Sequence, residues 1–349
     1  MINMKIKLKI IQKIILSGIL CFCISCSSEP QSQATEIETL NTPFKIINET
    51  ITKNGVVVSF KGVNTLQTYG LGNPELMNEW NIQIIREFIG NLREQPISGN
   101  AILASDEVWY HPLQTIVDQN RANNKITILC PFGWVNQSGE RTLLTGLNPS
   151  EQDFFVDYKI KMKQIAAHFK DQPDVWIEVW NEPYSWNNEQ YTHDLWLSDM
   201  QEMVSNLRAV PGFESIIVVP GNEQGQSELA ILEKGSELIE YNYNILFDLH
   251  AYEKWLLETT QTDITTRISR LKNQKIAFIF GEIGVQNVGG IMPVQHLLNS
   301  ANQTNISVLA WLWNQNTEDN NALLTDDGLP NATEQNNFWG DTYRVFLNQ

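Results

Sequence analysis

The chain has 349 residues, with 24 Lys and Arg against 40 Asp and Glu, a formal net charge of −16 at pH 7. That balance repels nucleic acid and anionic lipid and suits a domain that acts on a neutral polymer. Three of the four cysteines, Cys21, Cys23 and Cys26, fall at the N-terminus, so Cys130 stands alone in the rest, which excludes a disulfide framework and a cysteine-based metal site there.

Lys5, Lys7, Lys9 and Lys13 open the chain, Ile14 to Ile24 is mostly apolar, and Ser25-Cys26 follows. This reads as a bacterial lipoprotein signal over residues 1–26, with Cys26 as the lipid-carrying first residue of the mature chain; a plain secretory signal is the alternative. Residues 27–42 read as a polar tether and 43–349 as the folded domain. The expected location is therefore outside the cytoplasm, anchored to the bacterial outer membrane or cell surface. Membrane contact is expected through the lipid only, because the apolar run is short for a membrane span.

Beyond the tether, strand patterns alternate with helix patterns. A first strand is expected over 55–64, a short helix over 74–80, and a second strand over 82–86 that ends on Arg86. Residues 106–123 read as a helix and 126–129 as the third strand, which leaves through the aromatic loop Cys130-Pro131-Phe132-Gly133-Trp134. A long helix begins near Asn148-Pro149-Ser150, where Ser and Pro favour a start. The fourth strand opens the stretch Val175 to Trp186; strands five to eight are expected at 215–219, 245–249, 277–280 and 308–311, with helices at about 194–210, 227–239, 258–273 and 293–303. Eight strand–helix units over some three hundred residues predict a TIM (β/α)8 barrel. A doubly wound open sheet is the runner-up, without a glycine-rich phosphate turn after the first strand to support it.

In such a barrel chemistry gathers at the C-terminal ends of the strands. Those ends deliver Asn64, Arg86, Trp134, Asn181 with Glu182, Asn222 with Glu223, His250 with Tyr252, Glu282, and Trp313. Period-2 alternation places Glu178, Trp180 and Glu182 on one side of the fourth strand. Glu282 ends the seventh. Two carboxylates at two strand ends are what glycoside hydrolysis requires, one to protonate the leaving oxygen and one to act on the other face of the sugar. Glu178 is expected to be a core carboxylate paired with a barrel arginine.

Gly62-Val63-Asn64, Arg86, Trp180-Asn181-Glu182-Pro183, Leu249-His250-Ala251-Tyr252, Phe280-Gly281-Glu282-Ile283-Gly284 and Trp311-Leu312-Trp313-Asn314 occur in order. The set resembles glycoside hydrolase family 5, from about residue 43 to the end. The resemblance implies retaining hydrolysis of a β-1,4-linked polysaccharide, mannan or cellulose and β-glucan, with Glu182 as acid/base and Glu282 as nucleophile. It places Asn181 on the sugar 2-hydroxyl, Arg86 and Tyr252 beside Glu282, His250 beside the reacting centre, and Trp313 under the ring attacked. Asn64 and Trp134 are further substrate-side candidates. Family members commonly carry a histidine after the third strand, where this chain has Pro131 to Trp134. Trp134, Trp186 and Trp255 are expected to stack on sugars at the mouth. No cofactor, metal or nucleic acid is expected, and the protein is expected to be a monomer. A glycan-binding lipoprotein that has lost the reaction and a transglycosylase are the rival readings.

Overall fold

The computed structural model describes residues 40–70, 74–288 and 290–349. The expected signal, with Cys26, and the tether as far as residue 39 lie outside the described residues. Eight parallel strands close a barrel: β1 (Lys61–Thr65), β2 (Ile84–Ile89), β3 (Ile126–Pro131), β4 (Val175–Glu178), β5 (Ile217–Pro220), β6 (Ile245–Ala251), β7 (Phe278–Ile283) and β8 (Ser307–Ala310), with β8 paired to β1. Between them run helices α1 (Pro74–Glu79), α2 (Leu113–Ala122), α3 (Phe155–Phe169), α4 (His193–Arg208), α5 (Leu229–Glu240), α6 (Gln261–Asn273) and α7 (Gln295–Thr304), and α8 (Trp339–Leu347) follows β8. This is the (β/α)8 barrel read from the strand–helix alternation.

The period of two in each strand divides its side chains between two cores. Ile84, Ile128, Trp176, Val218, Leu246, Ile279 and Leu309 fill the barrel interior. Their neighbours Ile85, Leu129, Ile177, Val219, Phe247, Phe280 and Val308 face the helices. Helix ends are set locally. Thr192 caps α4 by accepting from Leu195 N, and Thr260 and Asp263 form a capping box on α6. Tyr343 on α8 fastens the seam, donating to the carbonyls of Gly62 at 2.5 Å and Val308 at 3.0 Å.

The strand expected over 55–64 is in fact two elements. Asn54 and Gly55, with φ of 52° and 79°, make a tight hairpin turn that pairs Val56–Val58 with Thr50–Lys53, and Phe44–Ile47 completes a three-stranded antiparallel sheet. Phe44 and Phe60 pack edge-on against Trp176, with ring centroids 5.7 and 5.9 Å away, and close the bottom of the barrel. The helix expected from residue 106 begins only at Leu113, because Trp109-Tyr110 pairs with Ile102-Leu103 as a second hairpin.

Candidate active site

Above the apolar plug the barrel interior turns polar, and one guanidinium organises it. Arg86 points inward from β2 and is fully buried. Its Nε and Nη2 donate to the two oxygens of Glu178 on β4, at 2.6 and 3.0 Å. Nη2 also donates to Asn181 Oδ1 at 3.0 Å, and Nη1 to Asn64 Oδ1 at 3.2 Å and Glu282 Oε1 at 2.7 Å. All five N–H groups therefore end on an oxygen, which is the condition for burying this ion without a large net cost. Burial opposes the charge, but Glu178, Glu282 and Asp248 hold the guanidinium well above its ordinary pKa. Burial pushes the Glu178 carboxyl up to about 8, against the pull of Arg86.

β7 carries a bulge. Leu249 pairs with Phe280 but His250 pairs with Glu282, so Gly281 is the extra residue and Glu282 is lifted level with His250. Tyr252 donates its hydroxyl to Glu282 Oε2 at 2.7 Å while Arg86 holds Oε1. His250 Nδ1 lies 2.8 Å from Glu182 Oε1 and 3.7 Å from Glu282 Oε1, and the oxygens of Glu182 and Glu282 come within 4.8 Å of each other. Burial raises the Glu282 carboxyl above its ordinary value, and His250, Arg86 and Tyr252 restrain the rise. Ionisation of Glu282 is thus a balance between burial and these three partners. Glu182 hangs from the loop after β4 and is the more open of the two, with 16% of its side chain exposed against 5% for Glu282.

Both carboxylates line one cleft of about 670 Å³ at the barrel mouth, with Phe132, Asn181, Trp186, Gln224, Gln226, Tyr252 and Trp311 on its walls. Among the described residues two groupings, Glu178–Asp248–His250 and Glu182–His250–Glu282, each bring histidine and carboxylate atoms within 4.8 Å of one another. They share His250, and Arg86 donates to a carboxylate in each, so the arrangement is an ion-pair network rather than a set of metal ligands.

The family model described as cellulase, glycosyl hydrolase family 5, matches residues 52–317. The chain belongs to this family. Over 165 residues, 46% of this chain and 50% of the other, it is 26% identical to a mannan endo-1,4-beta-mannosidase of Salipaludibacillus agaradhaerens. Over 201 residues, 52% of this chain and 46% of the other, it is 25% identical to endoglucanase EG-II of Hypocrea jecorina. These matches span about half the length of either relative. The fold is shared with the β-mannanase of Thermomonospora fusca in its mannohexaose complex, with a TM-score of 0.62 and 19% identity over 87% of this chain and 94% of that one.

In this family 5 barrel, Arg86, Asn181, Glu182, His250, Tyr252 and Glu282 converge as the strand ends suggested, and Glu178 pairs with Arg86. Other expectations need correction. Trp313 is buried, edge-on against Trp80 at 5.3 Å, and it is Trp311 that lines the cleft. Counting by twos from the inward-facing Leu309 reaches Trp311 first, a signal the sequence reading passed over. Trp134 is stacked on Phe154 at 5.1 Å and Trp255 lies buried under the Arg267 guanidinium, so neither meets a sugar at the mouth; Trp186 does line the cleft. Asn64 is buried and serves Arg86 and the carbonyls of Gly281 and Ala310. Trp180 leaves the polar column because β4 ends at Glu178, and it packs on Tyr158 instead. Glu223 pairs with Lys254. Asp248 was not singled out.

Replacing Arg86 by Ala strands Glu178 and Glu282 in a buried site. A loss of about 3–5 kcal/mol is expected, read as a lower midpoint of denaturant unfolding, and Arg86→Lys recovers only part of it because one ammonium cannot reproduce the planar fork.

Proposed function

We propose that the protein is a retaining endo-β-1,4-glycanase, with mannan as its leading substrate and cellulose or β-glucan as the runner-up. The observation that carries the reading is that an oxygen of Glu182 and an oxygen of Glu282 approach within 4.8 Å across an open cleft. Retaining enzymes hold their two carboxyl groups about 5–5.5 Å apart, whereas inverting enzymes need about 6.5–9.5 Å to admit a water. Glu282, immobilised by Arg86 and Tyr252, is the nucleophile that attacks the anomeric carbon. Glu182, more exposed and bonded to His250, donates a proton to the leaving oxygen. Water then enters on the leaving-group side, gives a proton back to Glu182, and releases the sugar from Glu282 with its configuration retained. Asn181 has its Oδ1 committed to Arg86, and its Nδ2, bonded among the described residues to Thr145 Oγ1 at 3.3 Å, keeps a second N–H for a sugar hydroxyl. Trp311 and Trp186 offer ring faces to pyranoses. Mannan leads because a mannan-cleaving relative and a barrel solved with mannohexaose are both similar to this chain. The endo assignment follows the names of the two relatives.

Reducing-sugar release from β-mannan, mixed-linkage glucan and cellulose tests the reading, with the anomer of the first product followed by NMR. Release with a β-anomer first is expected. Glu282→Gln should abolish it, and Glu182→Gln should lower it by on the order of 10²–10⁴-fold. Binding without release by the unsubstituted protein would make it a glycan-binding protein, and longer products at high donor concentration a transglycosylase.

Because burial raises Glu282, activity should fall on its acid side at a pH above the ordinary carboxylate range. The nucleophile works ionised, so kcat/KM is lost as the pH drops through its pKa. Tyr252→Phe removes a hydrogen bond to the charged form and should move that limb up by about one pH unit.

Export and lipid attachment at Cys26 belong to the same proposal, supported by the residue pattern alone. Mass spectrometry of the mature N-terminus should find a lipidated cysteine.

A further inference from the structure

Asp248 stands two residues before His250 on β6, is fully buried, and has no step in the reaction above. Its Oδ1 accepts the Gly281 amide at 2.6 Å. Among the described residues its Oδ2 makes no close hydrogen bond, and it lies 3.5 Å from both Arg86 Nε and His250 Nε2. A carboxylate oxygen held at such depth by two long ion contacts alone is costly and calls for an explanation.

The donor inventory decides which neighbour it serves. Arg86 already spends its five N–H groups on Glu178, Asn181, Asn64 and Glu282. His250 faces Glu182 through Nδ1, and the carboxylate oxygen 3.5 Å from its Nε2 is Oδ2 of Asp248. The Arg86 Nη2 atom, 3.3 Å from Nε2, is itself a donor committed elsewhere. Gly281 is what permits the seat, since a Cβ there would collide with the Asp248 carboxylate. The same glycine forms the bulge that sets Glu282 level with His250.

We propose that Asp248 is a positioning residue that keeps His250 doubly protonated, Nε2–H toward Asp248 and Nδ1–H toward Glu182, so that a cation stands between the two carboxylates of the reaction. This rests on the assignment of Glu182 and Glu282. The charged or titratable groups facing the imidazole are Arg86 from β2, Glu178 from β4, Glu182 from the following loop, Asp248 from its own strand and Glu282 from β7. Burial disfavours the imidazolium, but Glu282, Asp248 and Glu182 outweigh it and hold His250 well above its ordinary value. The cation favours an ionised Glu282, and it stabilises the negative charge that stays on Glu182 once the leaving oxygen has taken its proton.

The test is Asp248→Asn in the full chain, which keeps the shape and removes the charge. Nitrogen-detected NMR of the five histidine rings should show His250 still as imidazolium well above the ordinary histidine range in the unsubstituted protein, and losing its proton at lower pH in the variant. In step with this, the acid limb of kcat/KM should move to higher pH in the variant. The imidazolium charge lost stands 3.7 Å from Glu282 Oε1 and is the first restraint on the rise of that carboxyl. A neutral His250 in the unsubstituted protein at pH 7 overturns the proposal whether or not the variant folds. So does a variant whose His250 titrates as before, with only a lower kcat, since Asp248 would then be merely structural. The ring readout needs no substrate, so it stands or falls separately from the assigned reaction.

Discussion

A single guanidinium inside the barrel is the constraint on which the rest of the site depends. Desolvating an ion of this size costs several kcal/mol, and the cost is offset only when every donor finds an acceptor and anions surround the charge. Arg86 meets both conditions with oxygens from β1, β4, the loop after β4 and β7. Each partner is thereby oriented in turn. Glu178 is held by two parallel bonds, and Asn181 presents its amide nitrogen to the cleft. Asn64 passes the constraint on to the backbones of β7 and β8 through the carbonyls of Gly281 and Ala310.

The network holds because the barrel is divided along its axis. The lower half is apolar, sealed by Phe44, Phe60 and Trp176 under the N-terminal sheet. The upper half carries the charges. Strong electrostatic coupling follows from this burial, since the ionisable groups of Arg86, Glu178, Asp248, His250 and Glu282 face one another in a low-dielectric interior. The bulge at Gly281 is the local irregularity that matches this layer to the chemistry: without the extra residue, Glu282 would not stand opposite His250, and with a side chain there Asp248 would have no seat.

At the mouth the character changes again. The cleft walls carry the amides Asn181, Gln224, Gln226, Asn287 and Asn321, the rings of Phe132, Trp186 and Trp311, and Glu253 beside the two central acids. Amides and ring faces suit hydroxyl-rich neutral rings, in keeping with the overall acidity that disfavours polyanions. Phe132 occupies the loop where a histidine is common in the family, edge-on to Phe88 at 4.6 Å, which makes that wall apolar where a polar group would otherwise stand.

Much of this was legible in the chain alone, and the division has a physical cause. Strand ends of a parallel barrel converge on one face, so Arg86, Glu182, His250, Tyr252 and Glu282 could be brought together from position along the sequence and their chemistry. The barrel itself followed from eight repeats of strand and helix. Tryptophans were not legible in the same way. Trp134, Trp255 and Trp313 are buried and Trp311 lines the cleft, and the difference lies in how each loop turns after its strand. Tertiary packing decides that. Asp248 escaped notice because a buried acid in an apolar strand has no local signature, and its role depends on a bulge in a neighbouring strand some thirty residues away. Sequence by itself determined which groups reach the mouth, since alternation and strand order are local rules. Only the folded barrel decided which of them touch, because register, bulges and loop exits are settled by contacts between residues far apart in the chain.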